Sequence, residues 1–222
     1  MKLVYVLGTD GAGKTTVAKR LADALGWQYV YCQVSPRLIL PFHLAARALF
    51  LGRADQFKDY DRYATKKTAA SRKYGRLARL YAWIWYADFV TQAMPKLLRA
   101  LVSNRTVIVD RYYLDVVVNQ SILTGSGIAG AREDARFLER LVPKADLHIY
   151  LDLPEHVAFA RKDDIQSLSY LHERRELYLA LASEYRFELV DASAPADVVY
   201  HTVSAMIESH LRSELTSKGA RV

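Results

Sequence analysis

Leu3-Val4-Tyr5-Val6-Leu7-Gly8-Thr9-Asp10-Gly11-Ala12-Gly13-Lys14-Thr15 joins an apolar run to a complete G-x-x-x-x-G-K-[ST] loop. A buried strand ends here, glycines let the backbone wrap with its amides inward, and a helix begins. Such amides, together with the helix N-terminus, make an anion site suited to a polyphosphate. The expected phosphate-binding set is Gly8, Asp10, Gly11, Ala12, Gly13, Lys14, Thr15 and Thr16. Lys14 is placed to reach the outer phosphates and the Thr15 hydroxyl to bind Mg²⁺. The loop therefore implies a bound nucleoside triphosphate.

Outward from the loop, short β-like runs fall at 28–32, 106–109 and 146–151, with a weaker one at 187–190. Helical patterns cover 15–25, 37–51, a long 58–102 region expected to split in two, 131–141, 167–185 and 196–215. Strands alternating with helices imply an α/β fold with a parallel sheet covered on both faces. Right-handed crossovers then bring every strand C-terminus, and the site, to one edge. The 222 residues suit one domain, with a basic helical insertion at about 53–80 and a short lid at about 161–168. Gly125-Ser126-Gly127 and 161–167 are the expected flexible loops.

The single cysteine, Cys32, excludes an internal disulfide, and no 20-residue apolar span is present; the greasiest stretch, 81–90, is broken by Asp88. With no leader pattern at the start, a soluble cytoplasmic protein is expected. The net charge of +7 is concentrated: nine basic residues between Arg53 and Arg79 face only three acids. Contact with nucleic acid or another polyanion is one reading of that stretch, and a solvated helical face near a phosphate-handling site is the favoured one.

A second motif closes the 106–109 run: Asp110-Arg111-Tyr112. An acid at such a tip can hold Mg²⁺ beside the phosphate loop, and the arginine can clamp a phosphate bidentately. Here the chain resembles the thymidylate kinase family of nucleoside monophosphate kinases. The phosphate loop with Asp10, the Asp110-Arg111-Tyr112 segment running to Gln120, Pro143-Lys144-Ala145-Asp146-Leu147 leading to Tyr150-Leu151-Asp152-Leu153-Pro154-Glu155, and Val190-Asp191-Ala192-Ser193 carry the likeness. The resemblance implies the three-layer P-loop nucleoside monophosphate kinase fold with a five-stranded parallel sheet in the order 2-3-1-4-5. It also implies ATP as donor, Mg²⁺, and transfer of a γ-phosphate to a monophosphate, thymidylate by default. By the same match Lys14 stabilises the transferring phosphoryl, Thr15 and Asp110 hold the metal, and Arg111 holds the acceptor phosphate. Asp10 would bond the acceptor's sugar hydroxyl. Because Gly11 stands where some members carry an arginine, a lid arginine is expected, with Arg161 and Lys162 as candidates and Arg174 and Arg175 behind them.

The acceptor side departs from the family. Trp85 falls where a phenylalanine stacks on the base, and Phe89 where an arginine reads it; the two share a helical face with Tyr81. Asp115 replaces a serine and Asn119 a tyrosine, while Gln120 is kept, and Gln33-Val34-Ser35-Pro36-Arg37 replaces R-E-P-G-G-T. Trp85, Phe89, Asp115, Asn119 and Gln120 are thus the expected acceptor contacts, beside Asp10 and Arg111. Two other functions stay open. One is phosphorylation of a nucleoside, sugar or metabolite hydroxyl with Asp115 as base, against which Ser35 argues because related deoxynucleoside kinases place a glutamate there. The other is a regulatory nucleotide-binding protein with little catalysis. A homodimer with the aromatic helix at its interface is a further expectation from the family.

Overall fold

Leu3–Gly8 (β1) is buried at all six positions, as expected of a central strand with helices on both faces. Side chains alternate across the pleat. Leu3, Tyr5 and Leu7 enter one core while Val4 and Val6 enter the other. The computed structural model describes residues 1–33, 37, 40–41, 44, 65–66, 69, 73–103, 105–161 and 167–219.

The remaining strands are β2 (Gln28–Tyr31), β3 (Val107–Asp110), β4 (Leu147–Asp152) and β5 (Phe187–Asp191). All pair in parallel, in the order β2-β3-β1-β4-β5 that the resemblance implies. The register sets Val6 against Asp110 and Gly8 against Leu151, so the phosphate loop leaves the sheet beside the Asp110 tip.

The helices are α1 (Lys14–Leu25), α2 (Gly75–Val102), α3 (Tyr113–Thr124), α4 (Gly127–Glu139), α5 (Glu155–Arg161), α6 (Leu168–Tyr185) and α7 (Ala196–Gly219). Residues of α2, α3, α4 and α6 close the core holding Tyr5, and residues of α1 and α7 the core holding Val4 and Val6. No described helix is long and apolar enough to cross a membrane.

Two helices, α3 and α5, are absent from the sequence reading. The α3 segment is buried at eight of its twelve positions. It therefore carries apolar residues almost all round, with a Val116-Val117-Val118 run that imitates a strand. Helix α5 has only seven residues, too few to show a period. Gly125-Ser126-Gly127 is a tight turn and not an open loop: Gly125 caps α3 with φ 66°, and α4 starts at Gly127 with φ 64°. In the 58–102 region, the described Thr65, Lys66, Ala69 and Lys73 are helical, and the non-helical Tyr74, at φ −122°, separates them from the single helix Gly75–Val102. Most of the predicted 37–51 helix, Val34 to Pro36, Lys162, and Arg53, Lys58, Arg62, Lys67 and Arg72 of the basic stretch lie outside the described residues.

Candidate active site

The loop between β1 and α1 fits only as glycine at two points. A Cβ on Gly8, whose φ is +152°, would lie 2.6 Å from the Leu151 carbonyl oxygen of β4. On Gly11, at φ +84°, it would lie 3.1 Å from the Ala158 carbonyl oxygen of α5. The backbone conformation disfavours any side chain at either point; at Gly8 β4 blocks one outright, and at Gly11 α5 would have to give by a few tenths of an ångström.

Lys14 is buried, and its Nζ donates to the Gly8 and Thr9 carbonyls at 2.9 and 2.7 Å. Burial draws its pKa down to about 8 against the support of Asp10. Thr16 is exposed on the first turn of α1. The Thr15 hydroxyl donates to Asp110 Oδ2 at 2.6 Å, and the Tyr29 hydroxyl donates to the same oxygen at 3.1 Å. Asp110 Oδ1 is buried with no hydrogen-bond partner among the described residues, and burial raises the carboxyl's pKa. Two oxygens of hard character, one of them unsatisfied, suit a magnesium ion.

Arg111 turns the chain off β3 with φ +63°, a conformation that costs a non-glycine residue energy and recurs at functional sites. Its Nη2 donates to Asp10 Oδ1 at 3.0 Å. From α6, Arg174 approaches the other Asp10 oxygen, Oδ2, at 3.5 Å. Burial alone would raise the Asp10 pKa, but Arg174, Lys14 and Arg111 together hold it well below the usual carboxylate range. Asp10 is thus an anion bracketed by three cations.

Arg174 is itself 1% exposed. Its Nη1 donates to Asn119 Oδ1 and to the Tyr170 hydroxyl, both at 2.6 Å, and its Nη2 to the Tyr178 hydroxyl at 3.2 Å. Tyr178 in turn donates to Asp115 Oδ1 at 2.7 Å. Asp115 Oδ2 accepts from the Tyr5 hydroxyl at 2.6 Å and the Tyr112 amide at 3.0 Å. A buried carboxylate that already accepts three hydrogen bonds from protein donors is engaged on both oxygens, not presented to an acceptor. The expectation for Asp115 is corrected accordingly: it anchors the start of α3.

Phe89 is corrected too. It is fully buried, its ring centroid 6.1 Å from that of Tyr112, so it belongs to the core. Trp85 is part-exposed on α2, Asn119 is committed to Arg174, and Gln120 is buried with Oε1 unpartnered among the described residues. Arg161 points to the turn after β5, donating to the Ala192 and Ser193 carbonyls at 2.9 and 3.1 Å. Arg175 forms a bidentate pair with Asp152 at 2.7 and 2.8 Å. The structure thus brings together Asp10, Lys14, Thr15, Asp110 and Arg111 at the sheet edge, and leaves Phe89 and Arg161 in other contacts. Sequence reading missed Tyr5, Tyr29 and Tyr178 and held Arg174 only in reserve. The i, i+4, i+8 spacing of Tyr170, Arg174 and Tyr178 on one helix face was the available signal.

A family model described as thymidylate kinase matches residues 61–203. The chain is 29% identical to the "Probable thymidylate kinase" of Metallosphaera sedula, over 100% of this chain and 99% of that protein. It is 28% identical to the protein of the same name from Archaeoglobus fulgidus, over 97% and 99%. Among solved structures, deoxyadenosine kinase from M. mycoides with bound dATP superposes with a TM-score of 0.54 at 15% identity, covering 94% of this chain and all of that one, a likeness of fold. With the matched span enclosing the Asp110–Arg111 tip and the arginine-bearing α6, the chain belongs to the thymidylate kinase family and is a nucleotide kinase.

Proposed function

We propose that the protein transfers the γ-phosphoryl group of ATP to a nucleoside monophosphate, with thymidylate the default acceptor, in the presence of Mg²⁺. The observation that carries this reading is the Arg111–Asp10 pair at the tip of β3, on the strand that brings Asp110 to Thr15 of the phosphate loop. A guanidinium there suits an acceptor that carries a phosphate of its own.

Asp110 and Thr15 would hold the magnesium, which when bound offsets charge on the donor's outer phosphates. Lys14 would exchange its two loop carbonyls for donor phosphate oxygens. Arg111 would exchange Asp10 for the acceptor's phosphate, while Asp10 accepts a hydrogen bond from the acceptor's sugar. A phosphate oxygen is already ionised at neutral pH, so positioning and charge neutralisation suffice and no general base is required. Asp115, the candidate base for a hydroxyl acceptor, is committed to Tyr5, Tyr178 and the Tyr112 amide. That weighs for a monophosphate and against an alcohol. A homodimer and a one-domain organisation with a lid near 161–168 complete the reading, both on family grounds.

The test is ADP release from ATP and Mg²⁺ across a panel of nucleoside monophosphates, thymidylate included. Stimulation by at least one of them is the expected result, and none by any of them contradicts the reading.

A further inference from the structure

Arg174 is a buried cation that the reaction as described leaves without a task. It is closed to direct contact with a ligand, being 1% exposed with Asn119, Tyr170 and Tyr178 around its nitrogens. Its ion-pair contact with the reacting region is to Asp10, whose two oxygens are divided: Oδ1 at 3.0 Å from Arg111 and Oδ2 at 3.5 Å from Arg174.

We propose that Arg174 is a positioning residue of the acceptor site, its charge drawing one oxygen of Asp10 away from Arg111 so that this carboxylate does not close bidentately on it. The proposal rests on the kinase reading above. A carboxylate beside a single guanidinium prefers the two-bond, fork-to-fork pair. With Arg174 removed, Asp10 is free to turn both oxygens to Arg111, and the guanidinium meant for the acceptor's phosphate is occupied. Asn119 and the Tyr170 hydroxyl take both hydrogens of that Nη1, each at 2.6 Å, so Arg174 acts on Asp10 through charge, from a position fixed relative to α3. The tyrosines at 170 and 178 support it from the turns on either side of α6. Arg174 also faces Asp115 across the Tyr178 hydroxyl, so a merely structural role, balancing that buried acid, is the rival account.

The two accounts separate in a double-variant cycle. Wild type, R174M, D115N and D115N/R174M are compared by steady-state kinetics with ATP, Mg²⁺ and the monophosphate that the panel selects, and by thermal unfolding. R174M is expected to raise the acceptor KM by about tenfold or more, a size typical of a displaced positioning group, with the ATP KM within about twofold. In D115N/R174M the melting temperature recovers because no buried acid is left unbalanced, yet the acceptor KM stays about tenfold above that of D115N. An acceptor KM in the double variant within about twofold of D115N would overturn the proposal, as would equal shifts in both KM values or no shift at all. Should R174M alone fail to fold, the double variant against D115N carries the same comparison. Absence of monophosphate-stimulated turnover in wild type contradicts the kinase reading itself. An active wild type with an unmoved acceptor KM in R174M contradicts the Arg174 assignment alone.

Discussion

Lys14 rests on two carbonyls of its own loop, so its charge is already aimed along the path a donor phosphate would take. Replacing it removes a cation from the centre of charge development. Lys14→Ala is expected to lower turnover by about 10³-fold or more in the ADP-release assay, and near-wild-type rates would refute the role. Arg111→Ala acts on the acceptor: its effect falls on kcat/KM for the monophosphate more than on the ATP KM, as separate titrations of the two substrates will show. The loop and the Asp110-Arg111 tip were legible because chemistry fixes both residue type and spacing there. Phe89 and Asp115 were misread for the opposite reason. Their positions matched a functional pattern, but burial and partners depend on how α2 and α3 pack, and local sequence does not encode that. Asp115 in particular depends on Tyr5 and Tyr178, which lie 110 and 63 residues away in the chain.

Elements meet at the phosphate loop through backbone as much as through side chains. Gly8 brings β1 against the β4 carbonyl of Leu151, and nothing larger fits without displacing a strand. Gly8→Ala is therefore expected to cost about 2 kcal/mol or more in urea unfolding, through strained φ and a backbone clash. A loss below about 0.5 kcal/mol, the range of ordinary surface changes, would contradict that contact. Strands and amphipathic helices were readable because one buried face leaves a period in the sequence; α1 and α4 show it well. Helix α3, packed among α2, α4 and α6, leaves none, since a helix buried on most sides has no polar face to mark its turns.

The whole molecule is held by two cores divided by the sheet, and one buried base makes that arrangement sensitive to acid. His148 on β4 lies among the rings of Tyr5, Tyr185 and Phe187, its Nε2 unpartnered among the described residues. Burial lowers its pKa from 6.5 to about 4. Between those values the unfolded chain binds the proton and the folded chain does not, so stability falls as pH falls. On moving from about pH 7.5 to pH 4.5, wild type is expected to lose about 2–3 kcal/mol more than His148→Phe, measured by urea unfolding at each pH. Equal losses would show that the imidazole reaches water.

The order 2-3-1-4-5 followed from family resemblance, while the alternation of strands and helices implied only a parallel sheet; the order places Asp10, Thr15, Asp110 and Arg111 on one edge. The identity of the acceptor does not follow from that order, because it depends on side chains that the family pattern does not share. The most direct measurement of the central claim is therefore ATP- and Mg²⁺-dependent ADP release with the nucleoside monophosphate panel, run in parallel on wild type and Arg111→Ala. Stimulation by a monophosphate in wild type, reduced about 100-fold or more in kcat/KM in Arg111→Ala, is the predicted result. No stimulation of the wild type by any monophosphate, or stimulation indifferent to Arg111, would contradict it.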